Sequence, residues 1–319
     1  MKFKVFQAIA RTFVFTGRNW LPVLKIVWLP CLLQLVAFIV LMSSFMVAYI
    51  EAQTYAAEEG AEAWSRLLPV APQGILFFLL TCVLTIIMFS GLTKLVVRGE
   101  KPRLPFYLAW GADEFRLLTA WAIQFAIIIG IVIAYFVANL LAQGMMSLAP
   151  GGVGLLFGIL GAVGVAILAT WVGVRLSFIA PETIAHRKVG VSSSWEMTED
   201  YYWPLLGFWI IWAIIAQAAQ WSSTPYVLPP GYFEAMQNAD FTSREGMQQA
   251  MREANLALAA GYDMSDIANV LRTTLAFFIN FLGSIVIAMA GAVSWKMMTD
   301  PDFAEPVKPA PDADPALPA

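Results

Sequence analysis

The stretch "GILFFLLTCVLTIIMFSGLTKLVVRGEKPR", residues 74–103, decides the fold. From Gly74 to Val97 it carries one charge, Lys94, close to its end. A helix needs about 20 apolar residues to cross the hydrocarbon core of a bilayer, and this run is long enough. The moment it ends, the chain turns basic, with Arg98, Lys101 and Arg103. A long uncharged rod with cations at one end is the mark of a transmembrane helix whose basic end faces the cytoplasm.

Working outward, five more runs of the same kind appear. The expected spans are Leu21–Ile50, Gly74–Val97, Leu117–Leu141, Gly152–Ile179, Leu205–Trp221 and Leu271–Met297. The first carries Pro22, Lys25 and Pro30 early, so its apolar core is expected to start near Ile26. It is too long for the apolar core of a signal peptide and lacks a small-x-small cleavage site, so it reads as a retained helix. Composition agrees with six spans. Apolar residues make up 60% of the chain and charged ones 13%, where soluble domains average about 25% charged.

Threading the spans alternately sorts the charges. Of the 19 Lys and Arg, only Arg66, Arg244, Arg252 and Arg272 fall on the second side. Both termini are therefore expected in the cytoplasm. A net charge of -3 leaves no basic surface for nucleic acid. Cys31 and Cys82 lie in different apolar runs, and His186 is the sole histidine. That pattern suggests no disulfide framework, no metal site and no cofactor. No paired carboxylates or nucleophile–base arrangement can be named either, so the chain reads as non-enzymatic.

The fold class expected is all-α: a polytopic membrane protein of six transmembrane helices in three hairpins, joined by amphipathic interfacial elbow helices. Residues 1–19 form the first elbow, with Phe3, Phe6, Ile9, Ala10 and Phe13 on one face and Lys4, Gln7 and Arg11 on the other, suited to the headgroup plane. Residues 20–299 form the membrane domain, with an outer loop over 222–270. Residues 300–319, rich in Pro, Ala and Asp, read as a disordered cytoplasmic tail. Three stretches look alike: "FVFTGRNWLPVLKIVWLPCLL" from Phe13, "FYLAWGADEFRLLTAWAIQFAI" from Phe106 and "SSSWEMTEDYYWPLLGFWIIWAI" from Ser192. Each opens an outward-going span, as parallel repeats of an elbow plus a hairpin would. Ser193 with Glu196, and Thr242 with Glu245, read as capping boxes that start helices. The second of these helices places Met247, Ala250, Met251, Ala254 and Leu258 on one face, to cap the bundle, lie on the outer leaflet or bind a partner.

The stretch "RLSFIAPETIAHRKVGVSSSWEMTEDYYWPLLGF", from Arg175 to Phe208, carries a resemblance. Its Arg175, Pro181, Ser194, Trp195, Met197, Thr198, Trp203, Leu205, Leu206 and Gly207 resemble the six-span membrane domain found ahead of some bacterial glycerophosphoryl diester phosphodiesterases, and in related stand-alone membrane proteins. The phosphodiesterases hold their catalytic acids and metal in a soluble barrel, which has no counterpart in these 319 residues. The resemblance thus implies a fold and a bacterial inner-membrane address, and no phosphodiesterase activity.

Two readings stand for the charged residues. Arg175, Glu182, Asp113, Glu114, Glu199 and Asp200 either line a cytoplasmic cleft that takes an anionic ligand, as in a transporter or lipid-handling protein, or form ion pairs that pin elbows to span ends. Polar residues within spans (Gln34, Gln124, Asn139, Gln217 and Asn280) either bond neighbouring helices or mark a path. In span four, Gly154, Gly158, Ala162, Ala166 and Thr170 recur at four-residue steps, which lets another backbone approach, within the monomer or in a homo-oligomer. A shorter version is Ser284, Ala288 and Ala292. The function expected is that of an accessory or assembly protein, embedded in the lipid bilayer and working through a membrane protein partner or a second copy.

Overall fold

The computed structural model describes residues 3–148, 153–240 and 242–304. Among these there is no strand, and six helices are long and apolar enough to cross a membrane. This is the build of a multi-pass membrane protein. The tail from 305 onward, the side chain of Asn139 and the surroundings of Gly154 and Gly158 lie outside the described residues.

The first span is one continuous rod, Trp20–Ala56. It is built from α2 (Trp20–Ala37), a π-helical turn at Phe38–Met42, and α3 (Ser43–Glu59). At 37 residues it runs to roughly 55 Å, well past the ~30 Å of a hydrocarbon core. Part of it therefore stands clear of the apolar layer, and Glu51, Gln53 and Thr54 mark the far end as that part. The short α4 (Ala61–Ser65) leads into α5 (Ala71–Val97). The third and fourth spans are α6 (Ala112–Leu148) and α7 (Val153–Arg175). Two short helices follow, α8 (Ile179–His186) and α9 (Val191–Met197). The fifth span is α10 (Tyr202–Val227). After α11 (Pro230–Gln237) and α12 (Arg244–Gly261) come the sixth span α13 (Ile267–Thr299) and the turn α14 (Pro301–Ala304). Every span but the fourth is longer than the apolar run that announces it, and α2 and α10 continue through Pro30 and Pro225.

The spans pair as three hairpins: α2 with α5, α6 with α7, and α10 with α13. The last is central. Half of the most apolar window of α13 is buried, against 11% in the third span and 17% in the fourth and fifth. Met289 and Val293 of α13 meet Ile26 and Cys31 of α2, Leu92 and Val96 of α5, and Phe208 and Trp212 of α10 in one core. Ala288 and Ala292 are buried in that packing. In span four, Ala162 is partly covered, but Ala166 and Thr170 are exposed. The groove of small residues on α7 thus faces outward where it is described; on α13, Ala288 and Ala292 face inward and Ser284 is exposed. Gln34 donates to Thr85 Oγ1 at 3.0 Å, and Asn280 to Ser223 Oγ at 2.8 Å. These two bond neighbouring helices, as membrane interiors favour. Gln217 is exposed on α10.

The elbows differ from one another. The first, α1 (Val5–Arg18), has three faces. Val5, Ile9 and the fully buried Ala8 pack on the bundle, with the Phe13 ring centroid 5.6 Å from that of Trp212. Phe6, Phe13 and Val14 are exposed. Lys4 and Arg18 occupy the polar side. The single apolar face expected from sequence is divided between protein and surroundings. The second elbow is no helix at all: residues 98–111 are turns and irregular chain. Pro102 and Pro105 prevent helix there, since each disfavours helical geometry in the residue before it. The segment is held by Trp28 Nε1, which donates to the Pro105 carbonyl at 2.8 Å.

Both proposed capping boxes shift. Helix α9 starts after Gly190, so Ser193 is inside it and its hydroxyl is buried with no partner among the described residues. Gly190 is required by space: a Cβ there would stand 2.6 Å from Glu182 Cβ and 2.8 Å from the Thr183 nitrogen. Helix α12 is capped by Ser243, one residue later than expected, which accepts from Gly246 N at 3.0 Å. The Asp240 carboxylate accepts from Thr242 and Ser243, and these bonds hold its pKa below the ordinary range. On α12, Ala250 and Ala254 are buried, while Met247 and Met251 are exposed. This helix packs on α11 and on the far end of α3. The join is clamped by Tyr55, whose ring has Arg66 at 4.7 Å and Arg252 at 4.9 Å. The outer loop therefore caps the first hairpin. At the opposite end, Pro301–Ala304 are helical and Phe303 lies 5.4 Å from Arg11 and 5.2 Å from Lys296. The first residues of the expected tail are thus fastened to α1 and α13.

Candidate functional site

The end of the bundle that carries α1 and α14 also holds the charged residues singled out above. They form separate groups rather than one cleft.

Arg175 ends α7. Its guanidinium donates to the Trp195 carbonyl at 3.1 Å and lies 5.7 Å from the Trp171 ring centroid and 5.4 Å from that of Trp195. The two rings meet edge to face, 4.9 Å apart. In return, Ser194 Oγ donates to the Arg175 carbonyl at 2.9 Å, and Thr198 Oγ1 at 3.3 Å. The last carbonyls of a helix lack partners within it, and here Ser194 of α9 and Thr198, just past the end of α9, donate to one of them. Arg175, Ser194, Trp195 and Thr198 thus clasp the end of span four. Arg175 faces aromatic rings, and none of Glu182, Asp113, Glu114, Glu199 or Asp200 bonds to it. Its Nε is buried without a partner among the described residues.

Glu182, on α8, is 4% exposed. It accepts from Trp295 Nε1 at 2.7 Å, with His186 Nε2 3.4 Å from its other oxygen. This ties α8 to the central helix. Glu199 and Asp200 are exposed.

Asp113 and Glu114 belong to a third group, at the start of α6. Glu114 is almost fully buried and takes four donors: Lys94 Nζ at 2.7 Å, Ser90 Oγ at 2.8 Å, Tyr107 Oη at 3.2 Å and Gly111 N at 3.0 Å. The last of these is the reach-back of a third-position Glu to the residue before its own helix. Asp113 takes Arg98 at 2.7 Å and Arg116 at 2.9 Å, and stands 3.5 Å from Lys94. Arg98 also donates to the Ile184 carbonyl, which joins this group to α8. Burial works against the Arg98 charge, but the bond and charge of Asp113 outweigh it and raise the pKa above its ordinary value. The Tyr107 hydroxyl is pushed up chiefly by burial.

Sequence reasoning selected Asp113 and Glu114 and missed Lys94 and Tyr107 as their partners. A lysine inside an apolar run was the available signal, since such a charge needs a counter-charge.

Among the described residues, two cavities adjoin these groups. One, of about 390 Å³, is lined by Lys94, Trp110, Asp113, Glu114, Arg116 and Arg187. The other, of about 360 Å³, is an apolar crevice between α6 and α7, with Gln124, Tyr135, Ala169, Gly173 and Leu176 on its walls. Among the described residues no group of His, Cys, Asp and Glu is placed to hold a metal. Compared with known proteins, the chain matches no protein-family model, no curated protein and no solved structure.

Proposed function

We propose that this is a non-enzymatic accessory or assembly protein of a bacterial inner membrane, with both termini cytoplasmic, and that it docks a helix of a partner membrane protein on the α6–α7 hairpin. One observation carries the reading. This hairpin stands at the edge of the bundle, and the small residues of α7 point away from it: Ala166 and Thr170 are exposed, and a Cβ at Gly161 or Gly164 would meet nothing within 4 Å. Small outward residues allow close backbone approach, which drives helix association where lipid offers no hydrophobic gain. The likeness of residues 175–208 to a membrane domain that also exists without its catalytic partner supports a role without chemistry of its own.

Purification in mild detergent tests this. The wild-type chain is expected to carry a stoichiometric partner, and Ala166→Trp to lose it with no change in Tm. A wild-type chain that comes through alone, or a partner indifferent to the tryptophan, refutes the reading; self-association lost in the same way would make the partner a second copy. The orientation has its own check. Gln237→Cys is expected to react with a membrane-impermeant maleimide on intact cells, and Gly17→Cys only after permeabilisation. Both positions are exposed, and the reverse pattern of labelling inverts the topology.

A second reading, lipid handling, draws on the apolar crevice between α6 and α7, whose polar lining includes Gln124 and Tyr135. An anionic ligand at Arg175 would have to displace Trp171 or Trp195 from its guanidinium.

A further inference from the structure

We propose that the cavity lined by Lys94, Trp110, Arg116 and Arg187 is a binding site for a phosphate-bearing anion, and that in the membrane its occupant is the headgroup of an anionic phospholipid. The site is independent of whether the α6–α7 hairpin docks a partner.

The charges come first. Asp113 and Glu114 also line the cavity, but both are already matched, Glu114 by Lys94 and Asp113 by Arg98 and Arg116. Arg187 is different. It lines the same cavity as an exposed side chain, and no ion pair among the described residues includes it. The walls therefore carry a guanidinium with open donors. A guanidinium presents a planar fork of donors that matches phosphate oxygens.

The backbone of Arg187 adds a second argument. It ends α8 with φ at +53°, the only non-glycine residue with positive φ among those described. Glycine reaches this left-handed geometry at no steric cost and is the common residue just past a helix end. An arginine is held there against that preference. Strain of this kind gathers at sites where the side chain is used.

The third argument is the level of the cavity. Its wall includes Trp110, the last of four exposed apolar residues in the second elbow, after Leu104, Phe106 and Leu108. Lys101 and Arg103 are exposed in the same stretch. Aromatic and basic residues mixed in an irregular loop beside a span settle at the headgroup layer. Phosphate groups of lipid are concentrated at that depth. A volume of about 390 Å³ falls within the range of small-ligand sites and accommodates a headgroup.

The test uses the full chain in neutral detergent. Retained lipid is counted by native mass spectrometry, and Tm is followed, with phosphatidylglycerol, phosphatidylcholine and inorganic phosphate as probes. Phosphatidylglycerol is expected to be retained in preference to phosphatidylcholine. Arg187→Gln is expected to weaken that retention about tenfold, the loss of one charge-assisted bond, and Arg187→Lys to weaken it less. Arg187→Gly separates binding from folding. It should lose the lipid while the lipid-free protein gains about 2 °C in Tm, because the backbone strain is relieved. Release of the lipid by millimolar phosphate would assign the site to soluble phosphate compounds as well as headgroups; resistance to it assigns the site to the headgroup. Equal retention of both lipids by the wild type, or equal retention of phosphatidylglycerol by wild type and Arg187→Gln, overturns the proposal.

Discussion

Glu114→Ala is expected to destabilise the protein by about 3–5 kcal/mol, the cost of leaving a buried charge without its partner. The Glu114 side chain is 2% exposed and that of Lys94 12%, with 2.7 Å between their charged atoms. Removing the carboxylate takes the nearest anion from the Lys94 ammonium, leaves it the longer pair to Asp113 at 3.5 Å, and leaves the Ser90 hydroxyl without its acceptor. It also frees the Gly111 nitrogen at the start of α6. Thermal unfolding in detergent reads the effect. A double change, Lys94→Met with Glu114→Leu, is expected to recover most of the loss, because apolar residues of similar volume replace a buried pair at little net cost. If Glu114→Ala unfolds within about 1 kcal/mol of wild type, the range of an exposed pair, the pair does not hold the second and third spans together.

Arg175→Ala is the second large effect, about 2–5 kcal/mol of stability. The guanidinium gives a hydrogen bond to the Trp195 carbonyl, worth about 1 kcal/mol. It also contacts two indole rings, each at about 0.5–2 kcal/mol. Arg175→Lys is expected to restore less than half, since an ammonium has no flat face to lie against Trp171 and Trp195. The same unfolding measurement decides between structure and ligand binding. A residue kept for an anionic ligand leaves Tm nearly unchanged when truncated, and that result would return Arg175 to the status of a binding group.

These two expectations show how unevenly the chain could be read. The spans were legible because hydropathy is a local sum. Any run like Gly74–Val97 must be helical in lipid, where each backbone group needs a partner within its own segment. The hairpins followed from the three look-alike stretches that each open an outward-going span, and α12 from the cap expected near Thr242 and the face of Met247, Ala250, Met251, Ala254 and Leu258. Even so, the irregular second elbow escaped, although Pro102 and Pro105 stood in plain view as its cause.

The partners of the charged side chains were another matter. Arg175, Glu182 and Asp113 looked alike in sequence, each a charge at the end of a span. The fold sends Arg175 to tryptophans, Glu182 to Trp295 and Asp113 to Arg98. Such pairings depend on how each helix is rotated about its axis and where the chain comes back, which residues far apart in sequence settle together. The outward turn of Ala166 and the inward turn of Ala288 have the same origin. Sequence alone thus determined that the chain crosses a membrane and how many times, because burial in lipid depends on each segment by itself. Tertiary structure alone decided which charges neutralise one another and that Arg187 is left open beside a cavity, because distance and rotation between segments are not properties of any one of them.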